Sequence, residues 1–467
     1  MFFKQARPKP PYRCLEVRYA VILAAGWGER LWPITSTRPK PLVPLPGGET
    51  LLTRLMRQLQ GLVEGFLVVI RGDEFGDMVR KTIESAGFSA YFAIQEKPQG
   101  TGDAARVGVR ALPRGVDEVL VVNGDLLVSD EILKTIAEAG SPSLVGVPSN
   151  EPWNYGVIAE HQGCLSAIRE KPSNAPPGSL INAGIYLLPR AELEEALGGL
   201  RPSLRGEIEI TDAVTLLARK MCIRVVRSPG FWLDIGRPWD LFEAYKFIWR
   251  EKFGGNEQVV VEGEVEGTAV IRGPVYVARN AVIRSHSVVE GPAWIEGEVG
   301  PFARIRPWSF LLSGSRAATH TEIKASILMR GAKAPHLNYV GDSILGEDVN
   351  LGAGTVTANL RFDHGNIRIN LRGKRIDTGR SKLGAIIGDK AQTGVNVSLY
   401  PGVRLGAYSW ISPGLSIDKD VIDCVHVKTS YVVQDLSKRL KCPSYVLRAR
   451  EKVSNWLTGY KPSSHTS

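Results

Sequence analysis

Residues 259–295, VVVEGEVEGTAVIRGPVYVARNAVIRSHSVVEGPAWI, place an aliphatic side chain at every sixth position: Val259, Val265, Ile271, Val277, Ile283, Val289 and Ile295. An α-helix repeats near 3.6 residues and a strand near 2, so neither keeps one face apolar at this interval. A sustained six-residue period marks a hexapeptide-repeat parallel β-helix, whose stacked coils point each aliphatic side chain into a narrow shared core. The pattern resumes at Ile387, Thr393, Leu399, Leu405, Ile411 and Ile417. Between the two runs it is less regular, and residues 360–384, LRFDHGNIRINLRGKRIDTGRSKLG, break it with a polar, basic insertion. An insertion leaves a solenoid as a loop, and such loops often form its binding surface.

Upstream the period is different. Between Tyr19 and about Arg250, apolar runs such as YAVILAAG and GFLVVI alternate with helical stretches such as TLLTRLMRQLQG. That alternation predicts an α/β domain with a mainly parallel sheet. The 467 residues therefore divide into an N-terminal extension (1–18), an α/β domain (19–253), a β-helix (254–425) carrying the insertion, and a C-terminal helix and tail (426–467). In the last segment Val446, Val453 and Leu457 share a helical face, as expected of a cap.

A 43% hydrophobic, 23% charged composition is that of a globular chain, and the net charge of +10 favours anionic partners: nucleotides, sugar phosphates or coenzyme A. The sequence lacks a nucleic-acid-binding pattern, a signal peptide and a stretch that spans a bilayer, so neither nucleic acid nor membrane is expected as a partner. The five cysteines are scattered, without zinc spacing, and read as single thiols in a reducing, cytoplasmic compartment.

Residues 21–45, VILAAGWGERLWPITSTRPKPLVPL, put Gly26 and Gly28 directly after a strand, where backbone N–H groups can cradle phosphates. Arg30 and Lys40 add fixed positive charge. A dinucleotide-binding loop is the rival reading, weakened by the missing third glycine and the lysine of RPKPL. The pattern LAAGxGxRLxPxTxxxPKPL resembles that of sugar-1-phosphate nucleotidylyltransferases. Further stretches follow in that family's order: IQEKPQGTGDA, VVNGD, Tyr155-Gly156, Glu170-Lys171-Pro172, INAGIY and FWLDIGRPWDL. The resemblance implies base recognition near Gln95, Gly100 and Thr101, and sugar recognition by Gly156, Glu170 and Asn182. Lys171 would lie near the sugar phosphate, and Asp125 and Asp234 would hold Mg2+. By themselves Asp125 would read as a turn residue and Asp234 as a helix N-cap.

PFARIRPW (301–308), THTEIKAS (319–326) and KAPHLNYVGDSILGEDVNLGAGTVTAN (333–359) resemble the acetyltransferase domain of bifunctional enzymes that make UDP-N-acetylglucosamine. That resemblance implies an α/β nucleotidyltransferase (Rossmann-like, mainly parallel sheet) followed by a left-handed parallel β-helix. It assigns Arg306 and Lys324 to a sugar phosphate, His336 to the general base, and Tyr339 and Asn350 to substrate contacts. Asn359 would face the thioester oxygen, with Ala353 near acetyl-CoA. The residue types suit the chemistry: an imidazole can take a proton from an attacking amine, an amide can donate to an oxyanion, and Arg and Lys can hold a phosphate. Taken singly, His336 would be a turn residue. The other histidines, His161, His286, His320, His364, His426 and His465, lack such company and read as structural or exposed.

Leu360 stands where the bacterial pattern has an aromatic residue, and the longer insertion leaves Lys374 and Lys382 as candidates for coenzyme A phosphates. Such loops are similar to those of archaeal-type bifunctional enzymes. The implied activity is acetylation of an amino-sugar-1-phosphate, with glucosamine-1-phosphate favoured, by acetyl-CoA. Nucleotidylyl transfer from UTP or dTTP then gives a nucleotide sugar and pyrophosphate, in a homotrimer. A monofunctional nucleotidylyltransferase with a structural β-helix is the alternative, and a non-catalytic assembly subunit the third reading, disfavoured by the presence of Lys40, Asp125 and Asp234.

Overall fold

The computed structural model describes residues 18–202, 206–254, 258–371 and 373–429. The N-terminal extension through residue 17 and nearly all of the C-terminal segment, with its expected helix, lie outside them.

The first half contains strands β1 (Arg18–Leu23), β2 (Gly65–Arg71), β3 (Tyr91–Gln95), β4 (Glu118–Asn123), β5 (Leu126–Val128), β6 (Ser143–Ser149), β7 (Gly156–His161), β8 (Cys164–Glu170), β9 (Ser179–Pro189), β10 (Arg224–Arg227) and β11 (Trp232–Asp234). Interspersed are helices α1 (Leu51–Leu59), α2 (Glu74–Ser85), α3 (Thr101–Arg110), α4 (Asp130–Ala139), α5 (Arg190–Gly198), α6 (Ile210–Ala218) and α7 (Asp240–Phe253). One nine-stranded sheet runs β3-β2-β1-β4-β9-β6-β10-β8-β7. Its β3-β2-β1-β4 half is parallel, and beyond it β9 runs antiparallel to both neighbours. The apolar run FLVVI is buried throughout and VILAA is buried but for the half-buried Leu23, as a parallel strand covered by helices requires. Thr50 starts α1 with a reciprocal capping box to Thr53. The ribbon β5–β11 lies apart from the main sheet and pairs Asp234 with Leu126.

The second half is a left-handed β-helix of three stacked parallel sheets. One core ladder runs Val277, Ile295, Leu311, Leu328, Leu345, Ile387 and Leu405, each fully buried. Coils shorten from eighteen residues (Val277 to Ile295) to sixteen and seventeen (Ile295 to Leu311, Leu311 to Leu328), which is why the sequence period blurs there. Val259 is exposed because it lies in the first coil.

A shared apolar core joins the halves. Tyr245 and Trp249 of α7 pack with Phe310, Ile327 and Ile344 of the β-helix, with Leu31 and Ile34 of the loop after β1, and with Ile367 and Ile369 of the insertion. The insertion is thus only partly a surface loop. It forms a hairpin, Arg368–Leu371 with Lys374–Asp377, and Arg380 beyond it reaches Glu243 of α7 at 2.9 Å.

The reading of all five cysteines as single thiols is overturned for two of them. Cys164 and Cys222 form a disulfide, because β10 pairs beside β8 and brings together positions 58 residues apart. Cys424 is free and exposed. Cross-linking a loop of this length restricts the unfolded chain, so Cys164→Ser/Cys222→Ser should lose about 2–4 kcal/mol in denaturant unfolding. Unfolding midpoints that coincide with and without the bond would contradict this.

Candidate functional sites

The first site lies beyond the carboxyl ends of β1, β3 and β4, where a strand order of this kind opens a crevice. It is a cleft of about 280 Å³, lined by residues that include Gly26, Gly28, Arg30, Lys40, Gln95, Gly100, Thr101 and Asp125. Gly28 adopts φ +67°, and an added Cβ there would lie 3.1 Å from that of Lys40, so glycine lets the loop fold tightly over the lysine. Lys40 starts a short 3-10 turn, Lys40–Leu42, and is buried. Its ammonium donates to Asp125 Oδ2 at 2.6 Å and to Asp234 Oδ1 at 2.9 Å.

Burial alone would lower the pKa of Lys40, but the two carboxylates outweigh it and raise the pKa above that of ordinary lysine. For Asp234 burial pushes upward, and Lys40 with Arg30 overcomes it, leaving the carboxyl below its usual range. Arg30 stands 4.0 Å from Asp234. The helix-cap reading of Asp234 fails. Asp240, not Asp234, accepts the backbone N–H groups of Gly236 and Arg237 ahead of α7.

Gln95 is buried, and its amide nitrogen donates to Asp103 at 2.8 Å and to the Gly100 carbonyl at 3.3 Å. Gly156 pairs with Glu170 across β7 and β8, and Glu170 accepts from Thr211 Oγ1 at 2.8 Å. Asn182, on β9, donates to Tyr186 at 2.5 Å. Lys171 is exposed, directly beyond β8. Sequence reasoning missed Glu207 and Glu209, which also line the cleft, and Trp27, whose ring lies under the Arg71 guanidinium at 3.5 Å. The two glutamates stand in alternate positions just before α6, a signal that was legible in GEIEIT.

The second site is on the β-helix. Arg306, Lys324, Tyr339 and Asn359 lie in or beside successive strands of one sheet, while His336 and Asn350 belong to the adjacent sheet. Leu337, at φ +52°, and Asn338 turn the corner between His336 and Tyr339. The Asn338 side chain accepts from the His336 backbone N–H at 3.0 Å, fixing that corner. Ala353 lies one coil beyond His336, whose carbonyl accepts from Gly354 N–H.

Arg306 donates to Glu322 at 2.9 Å, and that hydrogen bond holds its pKa up. Asp342, which sequence reasoning missed, accepts from Lys324 at 2.7 Å and from Asn359 at 2.5 Å. It stands eighteen residues after Lys324 and seventeen before Asn359, so the coil length itself could have revealed it.

Beside Asn359 a second hollow, of about 510 Å³, is lined by Leu360, Arg361, Arg368, Arg375 and Tyr400 among others. Arg368 and Arg375 share one face of the hairpin, and Lys374 falls on the other with Ile369 and Ile376. Lys382 is exposed, and its backbone pairs with Leu360.

Among the described residues no group of three or more His, Cys, Asp or Glu side chains forms a metal cage, and no helix is long and apolar enough to cross a membrane. Residues 19–251 match the nucleotidyl transferase family. The chain is 38% identical to the bifunctional sugar-1-phosphate nucleotidylyltransferase/acetyltransferase of Sulfurisphaera tokodaii, over 86% of its own length and 98% of that protein. It is 36% identical to the bifunctional protein GlmU of Methanocaldococcus jannaschii and to that of Methanococcus aeolicus, over 86% of its own length and 95% of theirs in each case.

Proposed function

The chain belongs to the archaeal-type bifunctional sugar-1-phosphate nucleotidylyltransferase/acetyltransferase family, and on that premise we propose how its two sites divide the work. It is a transferase that acts on sugar phosphates and nucleotides. In the reading we favour, the β-helix acetylates glucosamine-1-phosphate and the α/β domain then joins the product to UTP or dTTP. The observation that carries this is the pairing, in one chain, of Lys40 held between two carboxylates with the Arg306, Lys324, His336 and Asn359 array.

In the first reaction the amine nitrogen of the sugar attacks the thioester carbonyl of acetyl-CoA. His336 accepts the amine proton, Asn359 donates to the developing oxyanion, and the C–S bond breaks to release the coenzyme thiol. Arg306 and Lys324 hold the sugar phosphate, with Tyr339 and Asn350 on the sugar. Ala353 lies along the pantetheine. Because Arg368 and Arg375 line the hollow and Lys374 does not, we assign the coenzyme phosphates to the two arginines.

In the second reaction a phosphate oxygen of the sugar-1-phosphate attacks the α-phosphorus, and the bond to pyrophosphate breaks. Two polyanions must approach, so positioning and charge neutralisation dominate. Arg30 and Lys40 neutralise the triphosphate and the leaving pyrophosphate. Gln95, Gly100 and Thr101 receive the base, and Gly156, Glu170 and Asn182 the sugar, with Lys171 beside its phosphate. Asp125, on the wall of the cleft, and Asp234, which meets it at the Lys40 ammonium, are hard oxygen donors, a set that suits Mg2+, which usually takes one or two carboxylates and keeps its remaining positions for water and substrate. When bound, the ion supplies further charge neutralisation at the phosphates.

We further read the enzyme as a homotrimer; the Cys164–Cys222 disulfide removes the thiol argument for a reducing, cytoplasmic compartment. Phe302 is 50% and Leu337 63% exposed along one edge of the solenoid, beside His336, and a neighbouring subunit would cover them. The test is thiol release from acetyl-CoA with glucosamine-1-phosphate or galactosamine-1-phosphate, measured beside pyrophosphate release from UTP or dTTP with an N-acetylated sugar-1-phosphate. Both are expected. Pyrophosphate without thiol release for either amino sugar would leave the monofunctional reading instead.

A further inference from the structure

The loop that carries Lys40 is anchored outside itself by the β-helix. Among the described residues, the backbone hydrogen bonds made by residues 32–38 stay within the loop: Trp32 N–H donates to Glu29, Ile34 to Leu31 and Ser36 to Pro33, and just beyond them the Pro39 carbonyl accepts from Leu42. Their side chains instead reach the other domain. Trp32 Nε1 donates to Asp423 Oδ2 at 3.0 Å, and the Arg404 guanidinium lies 4.7 Å over the same ring. Thr37 Oγ1 donates to Asp389, and Arg38 pairs with both Asp389 and, at 3.0 Å, Glu347.

These anchors are built rather than incidental. Arg38 is 8% and Asp389 4% exposed, so the pair is sealed between the domains. Asp389 is itself fixed, its other oxygen accepting from the Glu347 backbone N–H at 2.8 Å. Asp423 is likewise held by the Ala407 N–H at 2.6 Å. At Gly388 an added Cβ would come within 3.0 Å of Pro33 and 2.7 Å of the Ala407 nitrogen, so a side chain there would push the loop away.

From Arg38 only Pro39 intervenes before Lys40, and its ring fixes φ near −67°. A shift of Arg38 is therefore passed to Lys40 with little slack. From the inner side, Thr35 Oγ1 donates to the Gly28 carbonyl at 2.9 Å, tying the same limb to the phosphate-binding turn.

We propose that Asp389, Glu347 and Asp423 of the β-helix are positioning residues for nucleotidylyl transfer, setting the place of Lys40 through Arg38, Thr37 and Trp32. The inference rests on the reading of the first site given above. It makes the acetyltransferase domain a structural part of the nucleotidylyl site, with the two chemistries still separate.

The test is Asp389→Asn, and in parallel Asp423→Asn, in the full chain. Misplacing a catalytic group by about an ångström costs on the order of 10²-fold. Pyrophosphate release should therefore drop by roughly 10- to 100-fold in kcat, with a smaller change in KM. Acetyl transfer at His336 should stay within about twofold, and the larger, buried anchor should show the larger effect. Amide hydrogen exchange gives a reading that does not need turnover: protection of residues 31–43 should fall in Asp389→Asn while α7 keeps its own, and Asp389→Glu should restore part of it. Unchanged pyrophosphate release with unchanged exchange overturns the proposal. A parallel loss of both activities and of α7 protection overturns it too, because the role is then general stability. A wild-type chain without nucleotidylyl turnover sinks the underlying reading, and exchange still decides whether the anchor holds the loop.

Discussion

Lys40→Ala should lower nucleotidylyl transfer by about 10³-fold while acetyl transfer continues. The ammonium is the closest cation to both Asp125 and Asp234, and the cleft it faces must admit a triphosphate and a sugar phosphate together. Removing it deletes a charge fixed in place before substrate arrives, and a mobile water or counter-ion does not replace that preorganisation. It also leaves two carboxylates facing each other, which further disfavours an incoming polyanion. Lys40→Arg should recover little, because the wider guanidinium does not fit between the two aspartates at ammonium distances. Acetyl transfer measured in the same preparation separates a lost catalytic charge from a lost fold; an equal fall in both would assign Lys40 to folding instead.

The pKa directions add a pH expectation. The pKa of Lys40 is raised, so its contribution to stability is fully present below the value for an unfolded lysine and is lost as pH climbs through the folded one. Asp234 has the opposite sign: its contribution is present above the unfolded carboxyl value and is lost as pH falls through the lower, folded one. Across the neutral range both stay charged. The stability of the α/β domain should therefore be level there and decline at acid pH; a stability maximum near neutrality that Lys40→Ala erases would contradict the assignment.

The two halves were legible to different depths. The six-residue period revealed the β-helix because a solenoid core repeats in sequence as it does in space, so Val277, Ile283, Val289 and Ile295 could be placed from sequence alone. The same logic failed between Ile295 and Leu345, where coils of sixteen and seventeen residues shift the register. Lys40, Asp125 and Asp234 were legible by motif, although the reason they meet was not: the short β5–β11 ribbon that carries Asp234 to Asp125 pairs segments about a hundred residues apart. Contacts without a repeat or a motif left no trace. Arg38 and Asp389 are 351 positions apart, and nothing local in RPKPL distinguishes an arginine on phosphate from one buried against another domain. The Cys164–Cys222 bond was hidden in the same way, since its partners become neighbours only once β10 enters the sheet. The insertion was legible as a loop because it breaks the six-residue period, but its packing was not, since Ile367 and Ile369 join a core built from both halves of the chain.

His336→Ala should lower acetyl transfer by about 10²- to 10⁴-fold, the range of a lost general base, and leave pyrophosphate release as it was. The amine of an amino sugar must shed a proton as it adds to the thioester, and the corner at Leu337–Asn338 holds the backbone of His336 three residues before Tyr339, whose hydroxyl accepts from the Asn359 amide at 3.5 Å. A histidine that served only the turn would lose little on becoming alanine, because the corner is made by the Asn338 side chain and the His336 backbone N–H, both of which survive the change. Asn359→Ala provides the complementary loss: it removes the amide proposed to donate to the oxyanion and should cost about 10²- to 10³-fold in kcat. A His336→Ala enzyme that kept most of the wild-type acetyl transfer would place the base elsewhere and return His336 to the turn.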